Sequence, residues 1–316
     1  MNILLTGANG FVGKSIVNKL ASHNVILTSR SNLSQNQGVY FAKKMSSTED
    51  FSDCLKNIEV IIHTAGRAHR INDKAKDPKK KYMEVNCFGT LNLARQAAKA
   101  GVKRFIYLSS IKVNGEKSTF DEPFKYDDVI NPKDDYGRSK AEAERGLLKI
   151  ASETKLEVTI IRPPLIYGVG VKANFATLIK FASRNLPFPL GAVQNKKSFV
   201  FIDNLTSLII TCIDHSDATN QVFLVSDDCD VSTKELYEKI LQVHKKKARI
   251  ININLSFLEF FASLIGKKSL FDRLCSNLRV DIKHTKQTLK WSPPVTFDKG
   301  IIECVKSIEA IKKEWI

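Results

Sequence analysis

Short runs of consecutive apolar residues alternate along this chain with longer stretches in which apolar positions recur every three or four residues. Ile3 to Leu5, Val25 to Ser29, Val60 to His63, Arg104 to Leu108 and Val158 to Ile161 have the pattern of strands covered on both faces. Between them, Phe11 to Ser22, Tyr82 to Ala100 and Tyr136 to Ala151 carry helical periodicity, and Gly101 follows the second where a left-handed C-terminal residue is expected. Arg162-Pro163-Pro164 closes the fifth strand, because proline has no N–H for a ladder. Strand and helix in alternation predict an α/β protein with a doubly wound parallel sheet over residues 1–170. Beyond about residue 170 the alternation loosens, with helices at Phe175 to Ser183, Thr233 to Val243, Leu255 to Leu264 and Lys299 to Lys312. Residues 171–316 are therefore expected to form mainly a smaller C-terminal subdomain, with some later segments returning to the sheet.

Composition narrows the class. The chain has 316 residues, 43% of them hydrophobic and 26% charged, which suits a packed globular protein. Its six cysteines (Cys54, Cys87, Cys212, Cys229, Cys275, Cys304) show no CxxC and no short Cys/His pairing, which speaks against a disulfide framework and a structural zinc site. Reduced thiols fit a cytoplasmic location, and the first residues have neither the charged start nor the cleavage site of a signal peptide. Lys plus Arg exceed Asp plus Glu by 49 to 33, but the lysines fall in short runs between acidic residues rather than in one basic arm with aromatics. A lysine-biased solvated surface is thus expected, not a nucleic-acid groove. Leu255 to Ile265 is too short to span a bilayer and reads as a packed helix, with a membrane-surface or dimer contact as the alternative.

Chemistry enters at Thr6-Gly7-Ala8-Asn9-Gly10-Phe11-Val12-Gly13, where the first strand turns into the first helix. There Gly7 permits a tight turn, Gly10 lets the backbone approach a pyrophosphate, and Gly13 allows close packing of the helix. A bland strand–turn–helix corner also uses glycines, but this position and spacing favour a dinucleotide cradle of Rossmann type. The second strand ends Thr28-Ser29-Arg30. An acidic residue there would bond a ribose 2′-hydroxyl, whereas Arg30 beside a small polar residue suits a 2′-phosphate, so NADP(H) is favoured and NAD(H) is the alternative. Tyr136-Gly137-Arg138-Ser139-Lys140 sets a phenol and an ammonium on one helix face, where Lys140 is expected to lower the Tyr136 pKa and to hold the nicotinamide ribose. Ser110 stands at the C-terminal end of the fourth strand, where open α/β sheets bind ligands, and is placed to share a hydrogen bond with the reacting oxygen.

Taken together with HTAG at His63 to Gly66, Asn86 in NCFGTLNL, RPPLIYG at Arg162 to Gly168 and DIKHTKQTLKW at Asp281 to Trp291, these motifs resemble the extended short-chain dehydrogenase/reductase family in its nucleotide-sugar epimerase/dehydratase branch. The resemblance implies Ser110, Tyr136 and Lys140 as catalytic residues. It implies cofactor contacts from Gly7, Asn9, Gly10, Phe11, Val12, Gly13, Arg30, Thr64, Ala65, Gly66, Asn86, Tyr136, Lys140 and Pro163. It brings Lys172, Asn174 and Lys197, with Ser110, towards a UDP-sugar substrate, although these polar residues read equally well as surface loop. Asp203 reads as a helix N-cap rather than a catalyst. The stretch SSIKVNGE with RPPLIYG and VKANF is most similar to UDP-glucose 4-epimerase-like proteins of bacterial O-antigen and polysaccharide clusters, several of which are similar to reductases of UDP-4-keto-6-deoxy-N-acetylhexosamines. The resemblance thus implies reduction of a 4-keto sugar, with 4-epimerisation by bound NAD as the alternative, without a metal. It also implies a homodimer paired through helices flanking the sheet. Dehydration is disfavoured because Ile111 and Lys112 stand where dehydratases carry an acidic pair.

Overall fold

The structure, a computed structural model, describes residues 1–30, 39–68, 76–171 and 173–313. Ten strands run in chain order through the described residues: β1 (Asn2–Thr6), β2 (Asn24–Ser29), β3 (Val39–Ala42), β4 (Val60–His63), β5 (Arg104–Leu108), β6 (Glu157–Arg162), β7 (Leu165–Tyr167), β8 (Lys197–Phe201), β9 (Gln221–Leu224) and β10 (Asp230–Val231). Seven of them form one parallel sheet in the order β3-β2-β1-β4-β5-β6-β9. The winding reverses between β1 and β4, where Thr6 pairs with His63, the place at which open α/β sheets leave a crevice for ligands. A second sheet, β10-β8-β7, belongs to the later part of the chain.

Both faces of the large sheet are covered, which explains the unbroken apolar runs. Along β1, Ile3 and Leu5 join one core and Leu4 the other. The first core takes in Val12 and Ile16 of α1 (Phe11–Val17); the second contains Leu93, Ala94 and Ala97, and also Ala143 and Leu147. α1 ends at Val17, five residues short of the sequence expectation, because the chain tightens there into turns from Lys19 N–H to Ile16 C=O and Leu20 N–H to Val17 C=O. The second helix begins earlier than expected. Asp77 caps α2 (Pro78–Tyr82), a wide π-type turn spans Met83–Phe88, and α3 (Gly89–Lys99) continues it. Gly101, at φ 78°, closes it as foreseen. α4 (Asp135–Glu153) starts from the Asp134 cap.

After α5 (Ala173–Ser183), β8 runs without a loop into α6 (Ile202–Thr211). Asp203 is therefore inside the first turn and is not the N-cap; that position is Phe201, whose N–H donates to the Asp227 carboxylate at 2.8 Å. α7 (Thr233–Val243) has a reciprocal capping box between Ser232 and Glu235. α8 (Leu255–Leu264), α9 (Lys268–Cys275), α10 (Lys283–Leu289) and α11 (Phe297–Lys313) complete the chain. α8 departs from the packed helix expected of it: Leu255 and Leu258 reach the core, yet none of its residues is fully buried. The six cysteines are free thiols, as their spacing suggested.

Candidate active site

The glycine-rich turn is held by contacts that leave no room for side chains. Gly7 has φ 73°, and a Cβ there would lie 2.7 Å from the Ala65 nitrogen in the loop after β4. A Cβ on Gly13 would lie 2.2 Å from the Gly7 carbonyl oxygen, so the first turn of α1 is seated directly on the strand end. Gly10 N–H donates to Gly7 C=O at 2.8 Å, and Gly10 caps α1 without a side chain. The N–H groups of that first turn, around Phe11, Val12 and Gly13, thus take no bond from the N-cap side chain and can meet the oxygens of a pyrophosphate. The residues present fit a dinucleotide.

At the outer end of the same crevice Asn9 Nδ2 donates to Ser29 Oγ at 2.7 Å, and Ser29 also meets the Tyr40 hydroxyl from β3. Arg30 is exposed next to them. At the inner end, the loop Thr64-Ala65-Gly66 after β4 is fixed from both sides: Thr64 Oγ1 donates to Thr6 C=O at 2.7 Å, and Asn86 Oδ1 accepts from Arg67 N–H at 2.7 Å. Asn86 also donates to Arg67 C=O and to Ser139 Oγ. Its amide is thus occupied within the protein, and its influence on the cofactor site runs through the loop it holds. His63, expected only as part of a motif, is buried between Thr6 Oγ1 (2.7 Å) and Thr90 Oγ1 (2.9 Å). Burial, with the nearby Lys140 charge, pushes it down to about 3, so it stays neutral.

The structure brings Ser110, Tyr136 and Lys140 together beyond the ends of β5 and β4. Ser110 accepts from Lys112 N–H at 3.3 Å as the cap of a short turn at Ile111–Val113, and its hydroxyl bonds the Tyr136 phenol. Lys112 forms an ion pair with Asp134, whose other oxygen accepts from Gly137 N–H at 2.6 Å. This latch joins the Ser110 turn to the start of α4. Gly137 is required for it, because a Cβ there would lie 2.7 Å from Lys112 C=O. Gly137→Ala is accordingly expected to lower turnover by about a hundredfold through misplacement of Tyr136, with far-ultraviolet circular dichroism unchanged. Near-normal turnover would show that the latch does not position the phenol.

Lys140 Nζ donates to Leu108 C=O at 2.8 Å and lies 4.6 Å from the centre of the Tyr107 ring. Burial pushes it down to about 8, against the opposing charge of Glu144 one turn further on. The expected depression of Tyr136 is not found. Desolvation pushes its phenol up to about 12, outweighing the Ser110 hydrogen bond, while the Lys140 ammonium is engaged with Leu108 and Tyr107. Tyr136 is therefore protonated near neutrality and suited to giving a proton. Its ring meets the Tyr82 ring edge-on at 6.0 Å, and Arg67 lies over Tyr82.

Sequence reasoning missed the support beneath this cluster. Arg162, at the end of β6, is buried against Glu144 of α4, with N–O distances of 3.1, 3.1 and 2.6 Å. Ser109 donates to the same carboxylate, and Arg162 reaches Asn114 Oδ1 at 3.0 Å. Their pairing has no local signal, since they come from three separate segments, Ser109 to Asn114, α4 and the end of β6. Pro163 is buried next to Arg162, and its carbonyl accepts from Ile111 N–H at 3.0 Å, tying β6 to the serine turn. Lys197 lies on β8, buried, and desolvation pushes it down to about 8. Asn174 stands at the start of α5, and Lys172 lies outside the described residues.

The family model described as NAD dependent epimerase/dehydratase matches residues 3–226. A UDP-glucose 4-epimerase of Vibrio cholerae is 46% identical over 304 residues, covering 95% of this chain and 93% of that protein. A dTDP-4-dehydro-6-deoxyglucose reductase of Escherichia coli is 24% identical and covers 97% of each chain. The crystal structure of a UDP-glucuronic acid 4-epimerase from Bacillus cereus, in complex with NAD, superposes with a TM-score of 0.79 at 20% identity, covering 98% of this chain and 99% of that one.

Proposed function

Because the chain belongs to the NAD dependent epimerase/dehydratase family, we propose that it moves hydride between a nicotinamide cofactor and C4 of a UDP-linked hexose, reducing a UDP-4-keto-6-deoxy-N-acetylhexosamine. The cradle of Gly7, Gly10 and Gly13 would hold the pyrophosphate, and the Thr64 to Gly66 loop with Lys140 the nicotinamide end. When bound, the reduced cofactor supplies the hydride to C4. Tyr136 gives its proton to the carbonyl oxygen as the C–H bond forms, and solvent then returns a proton to the phenolate. Ser110 turns its proton from the phenol to the same oxygen, and Lys140, bonded to Leu108 C=O, holds the nicotinamide ribose beside it. Lys197, buried on β8, offers its cation to the substrate diphosphate. A homodimer through the helices flanking the sheet belongs to the same reading.

The observation that carries the reductive reading is the end of β2, where Ser29 and the exposed Arg30 replace the carboxylate that would bind a ribose 2′-hydroxyl. It supports NADPH as an exchanging co-substrate. The test mixes the protein with NADPH and the 4-keto sugar nucleotide: loss of reduced-nicotinamide absorbance matching the 4-hydroxy product is the expected result, and no oxidation overturns it. Arg30→Ala is expected to weaken NADPH about tenfold with NADH unchanged; equal effects on both cofactors would exclude a 2′-phosphate contact. The second reading, 4-epimerisation with retained NAD, is favoured by the 46% identity to the Vibrio protein. Interconversion of UDP-hexoses without added cofactor would establish it instead.

A further inference from the structure

α8 is apolar on both sides, but only one side is covered. Leu255 and Leu258 pack against the core, while Phe257, Phe260, Phe261, Leu264 and Ile265 form an outward stripe at one-turn spacing. Phe260 is 60% exposed, Leu264 66% and Ile265 68%. The helix carries one charged residue, Glu259, which Lys268 neutralises at 3.1 Å. Exposed cations bracket it in the chain: Lys245, Lys246, Lys247 and Arg249 come before, and Lys267 directly after. The site chemistry uses none of these residues.

We propose that the outward face of α8 is a docking surface for an anionic lipid bilayer, the aromatic stripe entering the boundary between headgroups and acyl chains and the flanking lysines pairing with lipid phosphates. Charge complementarity selects this occupant, since a second copy would bring the same cations face to face, whereas an anionic surface offers both an apolar layer and the opposite charge. Ten residues of helix lying flat suffice for such a contact, and among the described residues no helix is long and apolar enough to cross a membrane. The protein would thus bind the surface reversibly.

The test is flotation of the full chain with vesicles of phosphatidylcholine alone or mixed with phosphatidylglycerol, at low and high salt. Flotation with the mixed vesicles, weakened by salt, is expected. Phe260→Ser combined with Leu264→Ser should lower partition about tenfold, and Lys267→Glu should lower it only on the anionic vesicles. Circular dichroism and nicotinamide-cofactor binding of both variants serve as folding controls. Wild-type protein that stays with neither vesicle overturns the proposal, as does equal flotation of the Phe260/Leu264 variant. If instead wild-type protein ignores vesicles but forms an oligomer that this variant dissociates, the face is an interface between copies and the lipid assignment is wrong.

Discussion

Replacing Tyr136 by phenylalanine should lower the rate of the proposed ketone reduction by about a thousandfold, with affinity for the reduced cofactor changed by less than about threefold. The ring remains to meet Tyr82, so the loss isolates the hydroxyl that bonds Ser110. Because desolvation holds that phenol at about 12, the proton-donating form persists across neutral pH and an alkaline limb near neutrality should not belong to Tyr136. The alkaline limb is expected from Lys140, held at about 8 by burial. Below that value it is charged and anchored on Leu108 C=O at the nicotinamide end of the site; above it the charge is lost, so kcat/KM of the free enzyme should fall through about pH 8. Lys140→Met should be slow at every pH and lack that limb. A Tyr136→Phe variant within about tenfold of wild type would assign proton donation to another group.

The second large effect concerns stability. Glu144→Ala leaves the Arg162 guanidinium buried without its counterion, at a cost of about 3–5 kcal/mol. The side chains are 1% and 4% exposed, so solvent cannot compensate. Thermal unfolding is expected to shift down by roughly 5–10 °C, and Glu144→Leu with Arg162→Met should recover much of the loss. A single-variant shift below roughly 2 °C would mean that the guanidinium finds water or another acceptor. Since Ser109 donates to the same carboxylate, the Ala variant should also loosen the Ser110 turn, seen as a lower kcat at temperatures where it remains folded.

The parts of the molecule legible from sequence were those whose signals are local. β1, the glycine turn and the Tyr136–Lys140 face declare themselves within a few residues, and α7 carries its own capping box. β8 did not, and α6 was read as starting late, from an Asp203 cap, because Lys197 to Thr211 passes from strand to helix with no Gly or Pro between. β9 was missed for another reason: its partner β6 lies some sixty residues earlier, and four residues give little pattern. Asp203 misled because its type suits a cap, whereas the Asp227 carboxylate had already taken the first N–H from a distance in the chain. The sign of the Tyr136 shift was beyond sequence as well. Spacing puts an ammonium near a phenol, but only the packing reveals that desolvation outweighs it.

The wide turn at Met83–Phe88 holds one residue more than an α-helical turn would, and that surplus sets the phase of everything before it. Were the same residues to wind as a regular α-helix, α2 would turn about 100° relative to α3. Tyr82 would leave the Tyr136 ring and carry the Arg67 contact away with it. The segment behaves like a vernier: the surplus residue of one backbone turn, rather than any side chain of the site, sets where Tyr82 and Arg67 stand against Tyr136.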